Sequence, residues 1–483
     1  MAERYANLIG GRWRQGGRFH ENRNPSDVTD LIGLYAQADA ADVEEAVTAG
    51  RGAMPAWRAT GLEQRQTILN RIGTELMERA AELGELLSRE EGKPLAEGRG
   101  EVYRAGQFFT YHAAEVLRQL GENADSVRPG IEIDMRREPM GLVAVVSPWN
   151  FPAATASWKI APALAYGNAV IWKPANETPA SAWALADIIH RAGLPDGTFQ
   201  LLMGPGSVVG NGLAGHRDVD AITFTGSYEV GRQVAVAAAA NLTKFQLELG
   251  SKNALLVMDD ADLDLAVAAS IGGGYSGTGQ KCTASSRLVV HEHVHDIFVE
   301  KLAAAVAALK VGHALADGTQ IGPVVSERQL AANLAWMERA RAAGAKVAVG
   351  GERLQMAHEG FYMAPALLTG TNNAMDFNRE EMFAPIAAVQ KVGSYEEGLS
   401  VVNDTRYGLV AGIFTRSLAR ATHFRRHVDT GCVMVNLPTA GTDYHVPFGG
   451  RKDSSFGSRE QGRSAAEFYT QVKTAYVRAG EPE

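Results

Sequence analysis

The sequence predicts an α/β protein built on a doubly wound parallel sheet, on three observations. Short continuous apolar runs, such as Leu142-Val143-Ala144-Val145-Val146 and Asn168-Ala169-Val170-Ile171-Trp172, alternate with helical stretches, as buried parallel strands do. The alternation starts again past Glu248 with Ala254-Leu255-Leu256-Val257-Met258, so a second α/β unit follows the first. A chain of 483 residues, 46% of them apolar, is long enough for two or three domains with large cores.

Charge and composition exclude several classes. A formal net charge of −8 with no basic tract argues against a nucleic-acid partner, which needs clustered Lys and Arg. No apolar run approaches the roughly eighteen residues of a membrane span. The start, Met1-Ala2-Glu3-Arg4-Tyr5-Ala6-Asn7, lacks the apolar centre of a signal peptide, so the expected address is the cytoplasm. The two cysteines, Cys282 and Cys432, could in principle pair, but so low a count fits a reducing compartment better than a disulfide framework.

Taken in order, residues 5–35 read as short edge strands, with a turn at Asn24-Pro25. From Asp39 to Leu117 apolar residues recur at three- and four-residue steps (Leu62, Ile68, Leu69, Ile72, Leu76, Leu83, Leu86, Leu87), the period of helices packed on a sheet. Residues 118–138, with Gly121, Pro129, Gly130 and alternating Ile131, Ile133 and Met135, suggest a polar-tipped hairpin. Helices are expected over 153–165 and 181–191 and a strand near Phe199. Beyond Glu248 the pattern predicts helices over 263–269 and 295–309, with Cys282 in a loop between them. Cys432 reads as a buried strand residue, and 468–478 as a strand with alternating polar positions. His291, His293 and His295 share a strand face if the strand runs on, but Val294 and the helical pattern that follows make them a solvated strand end; no metal is expected.

Three groups carry acyl chemistry. Cys282 follows a small-residue run, Gly272 to Gly279, and precedes Leu288-Val289-Val290, which is how a loop presents a thiol. A lone cysteine is usually a small buried hydrophobe, and a free thiol is mostly protonated at neutral pH, so it needs help; neighbouring Lys281 is one candidate. Glu248, thirty-four positions earlier (282 − 248), is a carboxylate in an apolar strand-like run ending in glycine. Asn150, in Ser147-Pro148-Trp149-Asn150-Phe151-Pro152, is a side-chain amide pinned among aromatics and prolines. Thiol, carboxylate and amide can serve as nucleophile, general base and oxyanion donor. For a nucleotide, spacing says less: Gly204, Gly206 and Gly210 do not form the usual glycine fingerprint of dinucleotide folds, although Lys173, Gly204-Pro205-Gly206 and Phe224-Thr225-Gly226-Ser227 all follow strands.

With Pro148-Trp149-Asn150-Phe151-Pro152, Trp172-Lys173-Pro174, Phe224-Thr225-Gly226-Ser227, Glu248-Leu249-Gly250, Gly279-Gln280-Lys281-Cys282, Glu381-Met382-Phe383-Ala384-Pro385 and Pro447-Phe448-Gly449-Gly450 in order, the chain resembles the aldehyde dehydrogenase superfamily from end to end. The resemblance implies the fold of that family: a dinucleotide-binding doubly wound domain (1–117 and 139–247), an α/β catalytic domain (248–450), and a β oligomerisation arm (118–138 and 464–483). It implies NAD or NADP as cofactor, no metal, and a homo-oligomer, dimer or tetramer. By carry-over Trp149, Lys173, Asn176, Gly206, Gly226, Ser227, Leu249, Glu381 and Phe383 bind the cofactor. Asn176 stands where many NAD-preferring members have glutamate, whose carboxylate bonds the ribose 2′-hydroxyl and repels a 2′-phosphate; an amide should weaken that discrimination, with Glu177 a partial substitute. Ala384 replaces the usual glycine. Gly250 is expected to ease withdrawal of the Glu248 carboxylate while the nicotinamide is in place.

The implied reaction is oxidation of an aldehyde to an acid through a thiohemiacetal and a thioester on Cys282, with Glu248 activating water. Segments 147–159, 204–210, 279–287 and 448–462 look most like the α-ketoglutaric semialdehyde (2,5-dioxopentanoate) dehydrogenases. Succinic semialdehyde or an aromatic aldehyde of the benzaldehyde or vanillin type is the alternative substrate. A coenzyme A-dependent acylating enzyme is disfavoured by Glu248, and a non-catalytic dinucleotide-binding or structural protein is the remote reading. Phe151, Trp158, Lys159, Lys281, Tyr444 and His445 are the candidate substrate residues, the two lysines as partners for a distal carboxylate. The segment 437–445 is where members differ, and the sequence leaves open which of its side chains face inward.

Overall fold

The computed structural model describes residues 3–119 and 121–480. Met1 and Ala2 of the opening segment, Leu120 of the first arm segment and 481–483 of the second lie outside the described residues. The first sheet has eight strands, in the order Ser455–Phe456, Lys244–Glu248, Ala221–Thr225, Leu142–Val146, Ala169–Lys173, Phe199–Leu201, Asn7–Ile9 and Arg12–Arg14. The inner strands run parallel. Successive side chains of a strand point to opposite faces, and the core divides accordingly. Val143, Val145, Val170 and Trp172 join one apolar cluster, while Leu142, Ala144, Val146, Ala169 and Ile171 join the cluster on the other face. Continuous apolar runs are the consequence of covering both faces with helices.

The second sheet follows the order Lys346–Val349, Ala366–Thr371, Ile386–Val392, Ser285–His291, Asn253–Val257, Val410–Phe414 and Cys432–Val435, parallel except at its first edge. A smaller sheet joins Glu122–Asp125, Glu132–Pro139 and Thr470–Val477. Its outer strand exposes Val472, Tyr476 and Val477. No helix among the described residues is long and apolar enough to cross a membrane.

Three elements differ from expectation. The helix after the second sheet's first parallel strand spans Leu263–Gly274, beyond 269, because its glycines pack rather than unwind it: a Cβ on Gly273 would lie 2.7 Å from Ser285 Oγ, and one on Gly274 3.0 Å from the Ser285 carbonyl. The next helix begins early, at Glu292, because His291 caps it through Nδ1, which accepts from the His293 N–H. Phe468 and Tyr469 belong to a short helix, Ala465–Tyr469, and are buried in the core; the strand starts only at Thr470.

Glu90 ties the helical layer to the sheet. Wholly buried at the end of the helix Ala80–Glu91, it accepts hydrogen bonds from the Ala180 and Ser181 N–H groups, Ser181 Oγ and Asn22 Nδ2. Those N–H groups open the helix Pro179–Arg191, whose first turn has no helical acceptors of its own. The segment bearing Asn176 is thereby held between the strand end at Lys173 and the anchored start of that helix.

Candidate active site

The five inner strands of the first sheet end on the same side, at Val146, Lys173, Leu201, Thr225 and Glu248. The segments beyond them line a cavity of about 710 Å³ that reaches from Lys173, Asn176 and Gly206 past Gly226 and Ser227 to Trp149, Asn150 and Cys282. This is the strand-end position at which open parallel sheets bind ligands. The structure brings together here Asn150, Cys282, Trp149, Phe151, Trp158, Lys173, Asn176, Gly206, Gly226, Ser227, Leu249, Glu381 and Phe383.

Cys282 sits past a tight loop, where Gly277 and Gly279 take positive φ, 59° and 66°. Gly279 is irreplaceable on space alone, since a Cβ there would lie 2.1 Å from the Ala384 carbonyl oxygen. Asn253 Nδ2 donates to the Cys282 carbonyl at 2.7 Å and to the Ala284 carbonyl at 3.1 Å, which fixes the loop to the second sheet. The thiol keeps an opening to the cavity, yet the protein encloses it closely enough for burial to push its pKa up to about 12, with Glu248 adding to the rise. Lys281 offers it no direct help: its ammonium donates to the Gly272 carbonyl at 2.9 Å and to Ser276 Oγ, and burial lowers its pKa to about 8. Cys432 is free as well and packs in the same small apolar cluster as Cys282, with Leu409, Val410, Phe448 and Trp158.

Asn150 Nδ2 donates to the Gln280 carbonyl at 2.9 Å, which orients the amide beside the Cys282 loop and leaves its second N–H for a ligand. The backbone carbonyl of Asn150 accepts from Lys93 Nζ at 2.6 Å, and the same ammonium donates to Glu101 at 2.6 Å. Glu101 in turn receives the N–H groups of Ala153 and Ala154, at the start of the helix Ala154–Ala165. Sequence reasoning missed Lys93 and Glu101: a lone charge in a helical region looks solvated unless one knows what packs over it.

Glu248 ends its strand opposite Ser455, and from that register Ser455 Oγ donates to Oε2 at 2.7 Å. Oε1 is buried without a partner. Burial, then the Glu460 carboxylate, pushes the pKa of Glu248 up to about 8. Gly449 leaves room for it, since a Cβ there would approach Oε1 to 2.8 Å. Gly250, expected to ease movement of Glu248, makes space for a different carboxylate: its Cβ would meet Glu381 Oε2 at 2.2 Å. Glu381 accepts from the Ser251 N–H at 2.8 Å, and burial raises its pKa to about 7.

The cavity suits a dinucleotide. Ser227 caps the helix Tyr228–Ala240, whose N-terminal N–H groups and dipole favour a diphosphate. Thr225 Oγ1, on the wall, is buried without a partner, and burial lowers the pKa of Lys173 to about 8. Trp149 and Phe383 meet edge to face at 5.3 Å. Glu177, beside Asn176, lies 3.6 Å from Arg328.

The substrate candidates divide. Phe151 and Trp158 line the cavity. Lys159 does not serve as expected: wholly buried, it is paired with Glu460 and donates to Thr223 Oγ1 at 2.7 Å, so it braces the first sheet. Tyr444 packs edge-on to Phe108 at 6.4 Å, and His445 is exposed at a neighbouring depression that Tyr111 also lines. Among the histidines, His291 and His293, not His295, come together with Asp259, their ligand atoms within 4.8 Å of one another. Asp259 there is paired with Arg420 at 2.6 Å, and His291 Nδ1 is engaged as the helix cap.

Comparison with known proteins accords with this geometry. The aldehyde dehydrogenase family profile matches residues 13–475. An alpha-ketoglutaric semialdehyde dehydrogenase of Bacillus subtilis is 41% identical over 98% of this chain and 98% of its own. A succinate-semialdehyde dehydrogenase [NADP(+)] of Escherichia coli is 36% identical over 96% of each chain. The crystal structure of a betaine aldehyde dehydrogenase from Staphylococcus aureus in complex with NAD+ superposes with a TM-score of 0.96 at 32% identity, covering 99% of this chain and 96% of that one. The chain belongs to the aldehyde dehydrogenase family and is an oxidoreductase that oxidises an aldehyde with NAD or NADP.

Proposed function

We propose that the substrate is a short aldehyde with a distal carboxylate, α-ketoglutaric semialdehyde first and succinic semialdehyde second, and that Cys282, Asn150 and Glu248 carry out its oxidation. The observation that carries the chemistry is an enclosed thiol and an oriented amide on the wall of one cavity, with the buried Glu248 carboxylate behind that wall and near enough to push the thiol's pKa up further. The semialdehyde reading is supported by the B. subtilis and E. coli relatives. Two semialdehyde relatives favour it over an aromatic aldehyde.

In this mechanism Cys282 Sγ attacks the carbonyl carbon as its proton passes to solvent through the cavity, the one proton released in forming the acid. The oxyanion is held by the free N–H of Asn150 and the backbone N–H of Cys282, donors worth about 3 to 4 kcal/mol each in comparable sites. Bound NAD or NADP supplies the hydride acceptor. Lys173, Asn176, Gly206, Gly226, Ser227, Leu249 and Trp149 would hold the dinucleotide, with Glu381 and Phe383 toward its nicotinamide ribose and ring. Glu248 then takes a proton from water, the water oxygen attacks the thioester carbonyl, and the acid leaves as the thiol is restored.

The domains proposed are dinucleotide-binding (1–117 and 139–247), catalytic (248–450) and an oligomerisation arm (118–138 and 464–483), in a cytoplasmic homo-oligomer, dimer or tetramer. Exposed Val472, Tyr476 and Val477 on an outer strand support the arm, because an apolar open edge invites pairing. Sedimentation should show a dimer or tetramer; a monomer at micromolar concentration contradicts this.

A pKa of about 8 for Glu248 means that its base form is scarce at pH 6 and dominant above pH 9. Deacylation in single turnover should therefore rise about tenfold per pH unit below 8 and level off above it. Glu248→Gln should give a stoichiometric burst of reduced cofactor followed by a slow rate. Steady turnover without a burst would show that another base serves. Asn176 should permit use of both cofactors; Asn176→Glu should raise KM for NADP more than KM for NAD, and a wild-type enzyme that already rejects NADP a thousandfold contradicts that role.

A further inference from the structure

We propose that Arg104 is the receptor for the distal carboxylate of the substrate; this rests on the semialdehyde reading above and names the residue that would enforce it. Both lysines expected to do so are engaged, Lys159 with Glu460 and Thr223, and Lys281 with Gly272 and Ser276. Arg104 comes instead from the helix Leu95–Val116, one turn before Phe108 and two before Tyr111, so the three share a face.

That face continues the wall around Cys282. Trp158, which lines the cavity and packs in one cluster with Cys282 and Phe448, meets Phe108 edge to face at 6.0 Å. Tyr444 meets Phe108 at 6.4 Å and Tyr111 at 6.0 Å, and Tyr111 lines the surface depression beyond. An aromatic wall thus runs from the thiol toward solvent, suited to a short aliphatic chain. The Arg104 guanidinium lies over the Tyr444 ring at 5.3 Å, and its Nη1 is buried with no hydrogen-bond partner. A buried guanidinium N–H without an acceptor is unfavourable, and a ring face compensates for it only in part. A carboxylate satisfies it, two oxygens matching the planar fork of donors.

The approach favours an anion. At the depression lined by Tyr111 and His445, Arg118 and Arg463 share one carboxylate, Glu115, at 2.8 and 3.7 Å, leaving local positive charge. A helix anchors Arg104 more rigidly than the 437–445 loop could, and that loop contributes the Tyr444 ring on which the guanidinium rests.

The test compares kcat/KM for α-ketoglutaric and succinic semialdehydes with that for uncharged aldehydes of equal length, in wild type, Arg104→Met, Arg104→Lys and Lys281→Met. Wild type should prefer the carboxylated aldehydes. Arg104→Met should cut that preference about ten- to a hundredfold, through KM for the charged substrates, with part restored in Arg104→Lys. Lys281→Met should keep the preference. A preference that survives in Arg104→Met overturns the assignment while the semialdehyde reading stands. An equal loss on both substrate classes marks Arg104 as a brace and also overturns it. A wild type that favours uncharged aldehydes removes both.

Discussion

The buried side chain of Asn253 is the constraint on which the site depends. Its Nδ2 holds the carbonyls of Cys282 and Ala284, while its Oδ1 accepts from the Val410 N–H at 3.0 Å and Ser251 Oγ at 2.7 Å. One amide thus joins the thiol loop, a central strand of the second sheet, its neighbour, and the segment leading back to Glu248. Ser251 extends the link, since its N–H binds Glu381. All four hydrogen bonds are internal, and a buried amide leaving any of them unmade would cost about 1 to 3 kcal/mol. The geometry between thiol and cofactor cavity is therefore fixed by a fully satisfied polar centre.

Electrostatics follows from the same enclosure. Glu248 and Cys282 face a low-dielectric interior that disfavours the charged forms of both, so the resting pair is largely neutral at pH 7. Lys159 pairs with Glu460 close behind, and Glu460 raises the pKa of Glu248 while Lys159 lowers it. A carboxylate held near pH 8 is poised to take a proton and release it again, which suits the role of general base proposed for Glu248.

Much of this was legible in the sequence because it is written in local pattern. The strands ending at Val146 and Lys173 appear as apolar runs, and the segments after them line the cavity because parallel strands deliver their carboxyl ends to one side. What escaped reading depends on contacts between distant residues. Gly272 to Gly274 looked like the start of a loop but are helical, being small for the sake of Ser285. Gly250 reads as room for Glu248, although Glu381, 131 positions on (381 − 250), fills the space over it. Lys159 looks available because Glu460 and Thr223 lie on other elements, Lys281 because only the folded helix end brings the Gly272 carbonyl back to it, and nothing local singles out Arg104, since Tyr444 stands 340 positions away (444 − 104).

In the proposed mechanism the acyl group passes through Cys282 and nowhere else. Glu248→Gln enzyme mixed with NAD and α-ketoglutaric semialdehyde, quenched in acid and digested, should show the acyl mass on the peptide that contains Cys282. The same mass on the Cys432 peptide, or no adduct on either while reduced cofactor accumulates in stoichiometric amount, would contradict the account.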